Sequence, residues 1–122
     1  MRIAIGNDHA GVDAKAMLSS MLLAEGHTVL NMGTDTTASV DYPDIAAEVA
    51  QAVARGEADR GILICGSGNG VCIAANKVAG IRAAVAFNET SAELAYRHNR
   101  ANVLCMGARL VTADEMAAAV RA

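Results

Sequence analysis

The apolar run Gly61-Ile62-Leu63-Ile64 ends in Cys65, and the turn Gly66-Ser67-Gly68-Asn69-Gly70 follows it without a break. A thiol at the carboxyl end of a buried strand, beside the amino end of a helix, sits in positive potential, where the thiolate is the reactive form. Three glycines in five residues cost backbone entropy that a plain turn would not require. They let successive backbone N–H groups converge on one anionic atom. A base beside an anion cradle suits proton transfer at carbon. The turn has neither the lysine nor the Ser/Thr of a nucleotide-triphosphate loop, and no G-x-G-x-x-G occurs there or in Gly6-Asn7-Asp8-His9-Ala10-Gly11, which disfavours dinucleotide binding.

Other residues join this candidate site on weaker signals. A strand-end cysteine is often inert core, and it is the adjoining glycine turn that makes Cys65 a candidate. Asp8 and His9 follow the first strand, although Asp8 serves equally well as a helix cap. His98, in His98-Asn99-Arg100, closes a helix whose dipole favours a cation, and imidazole is the side chain best suited to move protons near neutral pH. In Asp41-Tyr42-Pro43-Asp44, the proline suits a helix start and Asp44 its cap, which leaves Tyr42 as the site candidate. Arg109 is the sole cation immediately beyond the last strand, placed for a phosphate or carboxylate. His27 begins a strand away from the crevice and is expected to be solvated.

The elements that must position these residues alternate along the chain. Strands are expected at Arg2–Gly6, His27–Met32, Arg60–Ile64, Arg82–Phe87 and Asn102–Met106. Helices are expected at Val12–Glu25 with Gly26 behind it, from Asp44 to about Arg55 before Gly56, and at Asn69–Val78. Two more follow at Ser91–His98 and Thr112–Arg121, the last with Thr112 and Glu115 as a capping box. Five such units imply an α/β fold, a doubly wound three-layer sandwich around a five-stranded parallel sheet. Ligands bind outside the carboxyl ends of such strands. There Asn7-Asp8-His9, Gly33-Thr34, Cys65-Gly66-Ser67 and Gly107-Ala108-Arg109 are expected to share one crevice. Residues 1–122 read as one domain without repeat or linker.

Composition narrows the partners. The 122 residues carry a net charge of −3, which opposes a nucleic-acid partner. Aromatics are limited to Tyr42, Tyr96 and Phe87, so small aliphatic side chains must build the core and let helices lie close to the sheet. The three cysteines show no scaffold or zinc spacing, and Cys72 and Cys105 are expected to pack as small hydrophobes. No signal peptide or membrane-spanning run is evident, and a reducing cytoplasm is the simplest setting.

The segments IAIGNDHAG, DYPD, GILICGSGNGVCIAANKVAGIRAA and HNRANVLCMGAR run from Ile3 to Arg109. Together they resemble the type B ribose-5-phosphate isomerase family, which includes the galactose-6-phosphate isomerase subunits. The resemblance implies a Rossmann-like aldose–ketose isomerase of the pentose phosphate pathway that needs neither metal nor cofactor and acts on a sugar phosphate. It implies a homodimer or higher homo-oligomer whose sites are completed by the partner chain. It makes Cys65 the base that moves a proton between the two carbons. Gly66, Ser67, Gly68, Asn69 and Gly70 hold the enediolate oxygen, His98 opens the furanose, and Asn99 binds a sugar hydroxyl. Asp8 and His9 match substrate contacts, and Arg109 matches a phosphate ligand. One branch of the family places a glutamate just after the glycine turn as base; Val71 stands there in this chain. The family's basic C-terminal tail has no counterpart up to Arg121-Ala122, so fewer cations are expected on the phosphate. The substrate can therefore differ from a pentose phosphate.

Overall fold

A computed structural model of the chain describes residues 1–33 and 42–121, with Tyr42 through its backbone only. The elements run β1 (Arg2–Asn7), a 3-10 turn (His9–Gly11), α1 (Val12–Ala24), β2 (Thr28–Asn31) and α2 (Tyr42–Ala54). They continue with β3 (Arg60–Cys65), α3 (Asn69–Ala75), β4 (Ala83–Val85), α4 (Glu89–Asn99), β5 (Val103–Gly107) and α5 (Ala113–Arg121). All strand pairs are parallel, in the order β2-β1-β3-β5-β4. The expected doubly wound α/β sandwich is present.

Alternating residues of the same strands supply two cores. On one face α2 and α3 place Ile45, Ala46, Val49, Val71 and Ala75 against Ala4, Leu63, Cys65, Val103 and Cys105. On the other, α1, α4 and α5 place Leu18, Leu22, Ala92, Met116 and Ala119 against Ile3, Ile5, Ile62, Ile64 and Met106. This face-by-face division follows from the two-residue period of a strand buried on both sides. Small residues bring α2 down onto the sheet. A Cβ at Gly6 would meet Val49 Cγ2 at 2.7 Å, and one at Gly61 would meet its Cγ1 at 2.8 Å.

The helix ends are set by local chemistry. At the end of α1, Gly26 adopts φ +87°, and the N–H groups of Gly26 and His27 donate to Leu23 and Leu22 carbonyls, closing the helix as expected. The Thr112–Glu115 box is also present: Glu115 Oε1 accepts from Thr112 N–H at 2.9 Å, and Thr112 Oγ1 from Glu115 N–H at 3.2 Å. That backbone donor holds the Glu115 carboxyl below its ordinary range.

Five elements differ clearly from expectation at their ends. Helix α2 begins at Tyr42, so Asp44 lies in its first turn, where its charge complements the dipole, and does not cap it. Helix α3 stops at Ala75 because the Asn76 side chain turns to β4, donating to Ala83 O at 2.9 Å and accepting from Ala83 N–H at 2.8 Å. Strands β2 and β4 are shorter than expected, since each lies at a sheet edge with one ladder partner. Helix α4 starts two residues earlier, behind Asn88. The Asn88 Oδ1 accepts from Ser91 N–H at 2.9 Å, and Ser91 Oγ accepts from Asn88 N–H at 3.1 Å. Asn88→Ala should therefore cost about 1 kcal/mol and lower the melting temperature by roughly 4 °C, which a thermal melt would check.

Candidate active site

Strands β1 and β3 are neighbours, yet the chain leaves them in opposite directions along the sheet, β1 toward β2 and β3 toward β5 and β4. This is the switch point at which α/β sheets open a crevice at their carboxyl ends. Cys65 ends β3 there, and Asn7 and Asp8 end β1, joined across the gap by Asp8 N–H donating to Ile64 O at 3.1 Å.

Cys65 is 6% exposed, with its sulfur at the top of the α2–α3 core. The Gly68 N–H donates to Cys65 Sγ at 3.1 Å and so fixes the sulfur against the turn. The Asn69 N–H donates to Ser67 Oγ at 3.3 Å. Two of the turn's amides are therefore engaged within the turn, which leaves fewer free donors than the expected cradle of Gly66 to Gly70. The Gly70 N–H, in the first turn of α3, lacks an intrahelical acceptor.

The turn is held from the neighbouring strand. Ala108 N–H donates to Cys65 O at 2.7 Å and Arg109 N–H to Gly66 O at 3.0 Å. Gly68 has φ +85°, a conformation that glycine alone adopts without strain, and a Cβ there would lie 2.9 Å from the Met106 carbonyl carbon. The Arg109 guanidinium lies over Gly66, where a Cβ would meet Nη1 at 3.0 Å. Arg109 is thus beside the sulfur's own turn, as its place after β5 implied.

On the β1 side, Asp8 is 9% exposed and its Oδ1 accepts from Ala10 N–H at 2.9 Å. The capping alternative for Asp8 is real, and this oxygen is engaged by it. His9 is half-buried, and its Nδ1 is shielded from water with no hydrogen-bond partner among the described residues. Gly33 packs against Asn7; Thr34 and Asp41 lie outside the described residues. Tyr42 opens α2, and its side chain lies outside what is described.

His98 and Asn99 are not at this crevice within one chain. They close α4, and the Asn99 carbonyl accepts from Arg82 Nη1 at 3.1 Å, just ahead of β4. That is the amino edge of the sheet. The five residues of β5 alone separate it from the Cys65 edge by roughly 13 Å. There His98 and Asn99 line a shallow depression with Asn76, Arg82 and Ala83.

Asn7 was expected at the crevice by its place at the end of β1, whereas Lys15 was missed by sequence reasoning. Asn7 is fully buried, donates through Nδ2 to Asp8 O at 3.0 Å and leaves Oδ1 shielded without a partner among the described residues. Lys15 is 3% exposed and donates from Nζ to Met32 O at 3.2 Å. Its signal was available: Lys15 stands in phase with Leu18 and Leu22 on the buried stripe of α1.

Other corrections concern the remaining polar groups. His27 is half-buried, with Nδ1 shielded, and lines a groove of about 440 Å³. That groove lies at the amino edge among Ile3, Leu22, Arg60, Tyr96 and Val120, away from Cys65. Cys105 packs in the core as expected, whereas Cys72 is only partly buried and donates to Ala83 O at 3.4 Å. Among the described residues no His, Cys, Asp and Glu cluster could hold a metal ion, and no helix is long and apolar enough to cross a membrane.

Comparison with known proteins adds independent evidence. Residues 3–122 match the Ribose/Galactose Isomerase family model. The chain is 49% identical over 110 residues to ribose-5-phosphate isomerase B of Escherichia coli K12, covering 90% of this chain and 74% of that protein. It is 47% identical over 116 residues to D-erythrulose-4-phosphate isomerase 2 of Mycolicibacterium smegmatis, covering 91% and 75%. Its fold superposes on ribose-5-phosphate isomerase B from Mycoplasma genitalium, solved with bound ribulose-5-phosphate, with a TM-score of 0.93. That match is 43% identical and covers 98% of this chain and 80% of the other.

Proposed function

The chain belongs to the ribose/galactose isomerase family, and on that premise we propose that it interconverts ribose 5-phosphate and ribulose 5-phosphate, with Cys65 as the base. Sugar-phosphate isomerisation is common to the relatives it matches, and such an enzyme is an aldose–ketose isomerase. The observation that carries the assignment to Cys65 is its sulfur, held by the Gly68 N–H at the carboxyl edge of β3, beside Arg109 and across from Asp8 and His9.

In this reading the Cys65 thiolate takes the proton from C2 of the open-chain aldose. The electron pair of that bond moves into the C1–C2 linkage, and charge develops on the carbonyl oxygen. The Gly66–Gly70 turn receives it, with the Gly70 N–H and the Ser67 hydroxyl as donors. Gly68 and Asn69 serve by fixing the sulfur and the turn. Preorganised donors of this kind are worth about 3–4 kcal/mol each in acyl-transfer sites. The thiol returns the proton to C1, while the hydroxyl proton passes from O2 to O1. Asp8 and His9 bind sugar hydroxyls on the facing edge, Tyr42 stands at the head of α2 for the same purpose, and Arg109 offers its two-donor fork to phosphate.

His98 and Asn99 enter this scheme only from a second copy of the chain, since their own crevice is on the opposite edge. A homo-oligomer with shared sites satisfies both placements. His98 then protonates the ring oxygen and Asn99 holds a hydroxyl. His98→Asn should slow cyclic ribose 5-phosphate more than the open-chain ketose, and equal slowing of both would remove the ring-opening role. Mixing Cys65→Ala and His98→Asn chains should restore up to roughly one quarter of the wild-type rate, because each hybrid dimer holds one intact site. No recovery in mixtures shown by mass to contain hybrids would contradict a shared site.

A four-carbon substrate is the second reading, favoured by the 47% identity to a D-erythrulose-4-phosphate isomerase. Turnover of ribose 5-phosphate set against D-erythrulose 4-phosphate decides between them. Activity confined to the tetrulose would overturn the pentose assignment. If the purified chain is inactive on both until a homologous subunit is added, it is one half of a hetero-oligomer.

A further inference from the structure

His98 and Asn99 close α4 at the amino edge of the sheet, and the end of that helix is built unlike those of α1 and α2. Behind α1 and α2 the chain turns through Gly26 and Gly56, both at positive φ. Behind α4 it turns through Arg100 at φ +52°, the one non-glycine residue with positive φ among those described. A side chain in the left-handed region is held there by its surroundings. The carbonyls of a last helical turn also lack intrahelical donors. One of them, Asn99 O, accepts from Arg82 Nη1 at 3.1 Å.

Arg82 makes this bond from a fixed base. Its N–H donates to Asn102 Oδ1 at 2.8 Å, and its carbonyl accepts from Asn102 N–H at 3.0 Å. Asn102 Nδ2 in turn donates to Gly80 O at 3.0 Å, so one asparagine ties the approach to β4 to the approach to β5. No carboxylate among the described residues pairs with Arg82. It lines one depression with His98 and Asn99, where a cation also complements the carboxyl end of the helix dipole.

We propose that Arg82 is a positioning residue, which holds the His98–Asn99 end of α4 in the pose that enters a second copy's crevice. The kinetic consequence rests on the isomerase reading and the shared site above; the mechanical hold on α4 does not. In the single chain the Arg82–Asn99 bond is exposed, and water competes with it. Once a second copy covers this edge, water leaves and the bond strengthens in the lower dielectric. Arg82 then acts on the sugar only through the placement of His98 and Asn99 against the ring oxygen and a hydroxyl. A misplacement of about 1 Å at a reacting group can cost on the order of 10²-fold in rate.

The test compares the full wild-type chain with Arg82→Met, which removes the donors, and Arg82→Lys, which keeps the charge and one donor group. Amide hydrogen exchange reads the hold. The Arg100 and Ala101 N–H groups, which close α4 on the Tyr96 and Ala95 carbonyls, should exchange about tenfold faster in Arg82→Met. Its kcat on ribose 5-phosphate should fall about tenfold with little change in melting temperature. Arg82→Lys should lie closer to wild type in both readouts. In a chain already carrying His98→Asn and Asn99→Ala, Arg82→Met should cost less than about threefold further, because the side chains it positions are gone. Unchanged exchange would overturn the proposal, and an equal loss of rate in both backgrounds would overturn its action through His98 and Asn99. A wild-type chain inactive on ribose 5-phosphate would refute the isomerase reading instead, and exchange would still decide the hold on α4.

Discussion

Replacing Cys65 by alanine is expected to lower the isomerisation rate by about 10²–10⁴-fold, the usual contribution of a positioned general base. The fold and most of the substrate affinity should survive. Cys65 is nearly buried in a core of small side chains, and losing one heavy atom there costs about 1 kcal/mol. The Ala108 N–H to residue-65 carbonyl bond uses backbone atoms and is retained. Steady-state kinetics with a parallel melting curve check this. A large fall in kcat with KM within a few-fold is the expected pattern, because the sulfur acts on the reacting carbon and not on the phosphate. Wild-type turnover by the variant would remove Cys65 from the reaction.

Gly107→Ala carries the second large effect, and it reaches the site from outside. A Cβ at Gly107 would lie 2.6 Å from both the carbonyl carbon and oxygen of Ser67. These are backbone atoms, directly behind the Cys65 and Gly66 carbonyls that the Ala108 and Arg109 N–H groups hold, so no flexible side chain can yield. The turn must shift or β5 must retreat from β3. Overpacking of this kind costs about 1–3 kcal/mol, on the order of 4–12 °C in melting temperature for a domain of this size. Because the displaced turn carries Cys65 at its head, the folded variant should also lose on the order of 10²-fold in rate. Calorimetry and kinetics on one preparation separate the two losses. A stable variant with wild-type turnover would show that the turn tolerates displacement.

The sequence was most legible where one physical demand dominated. The apolar runs ending at Asn7 and Cys65 could only be strands buried on both faces, and they became the two strands flanking the switch point. Thr112 and Glu115 announced α5 by their own hydrogen bonds. Boundaries were harder where a distant partner decided them. Asn76 ends α3 by bonding to β4, seven residues on, and nothing in the local helical pattern carries that information. The edge strands β2 and β4 stop early for a related reason, since their length depends on the one neighbour each has. The placement of His98 is different, because it was implicit in the order of elements. A helix that follows a parallel strand runs back toward the amino edge, so a residue at its last turn cannot share the crevice of its own chain. Lys15 was legible in the same way, as a charge in phase with a buried stripe.

The central claim is that Cys65 moves a proton between adjacent carbons of the sugar, and isotope exchange tests it most directly. Ribose 5-phosphate should be converted in deuterium oxide by the wild-type chain and by Cys65→Ala, with deuterium at C1 of the ketose read by nuclear magnetic resonance. Through exchange of the Cys65 thiol proton with solvent between the two transfers, deuterium should enter C1 with the wild-type chain and fail to enter with the variant. Label arriving at the wild-type rate in the absence of the sulfur would contradict the account.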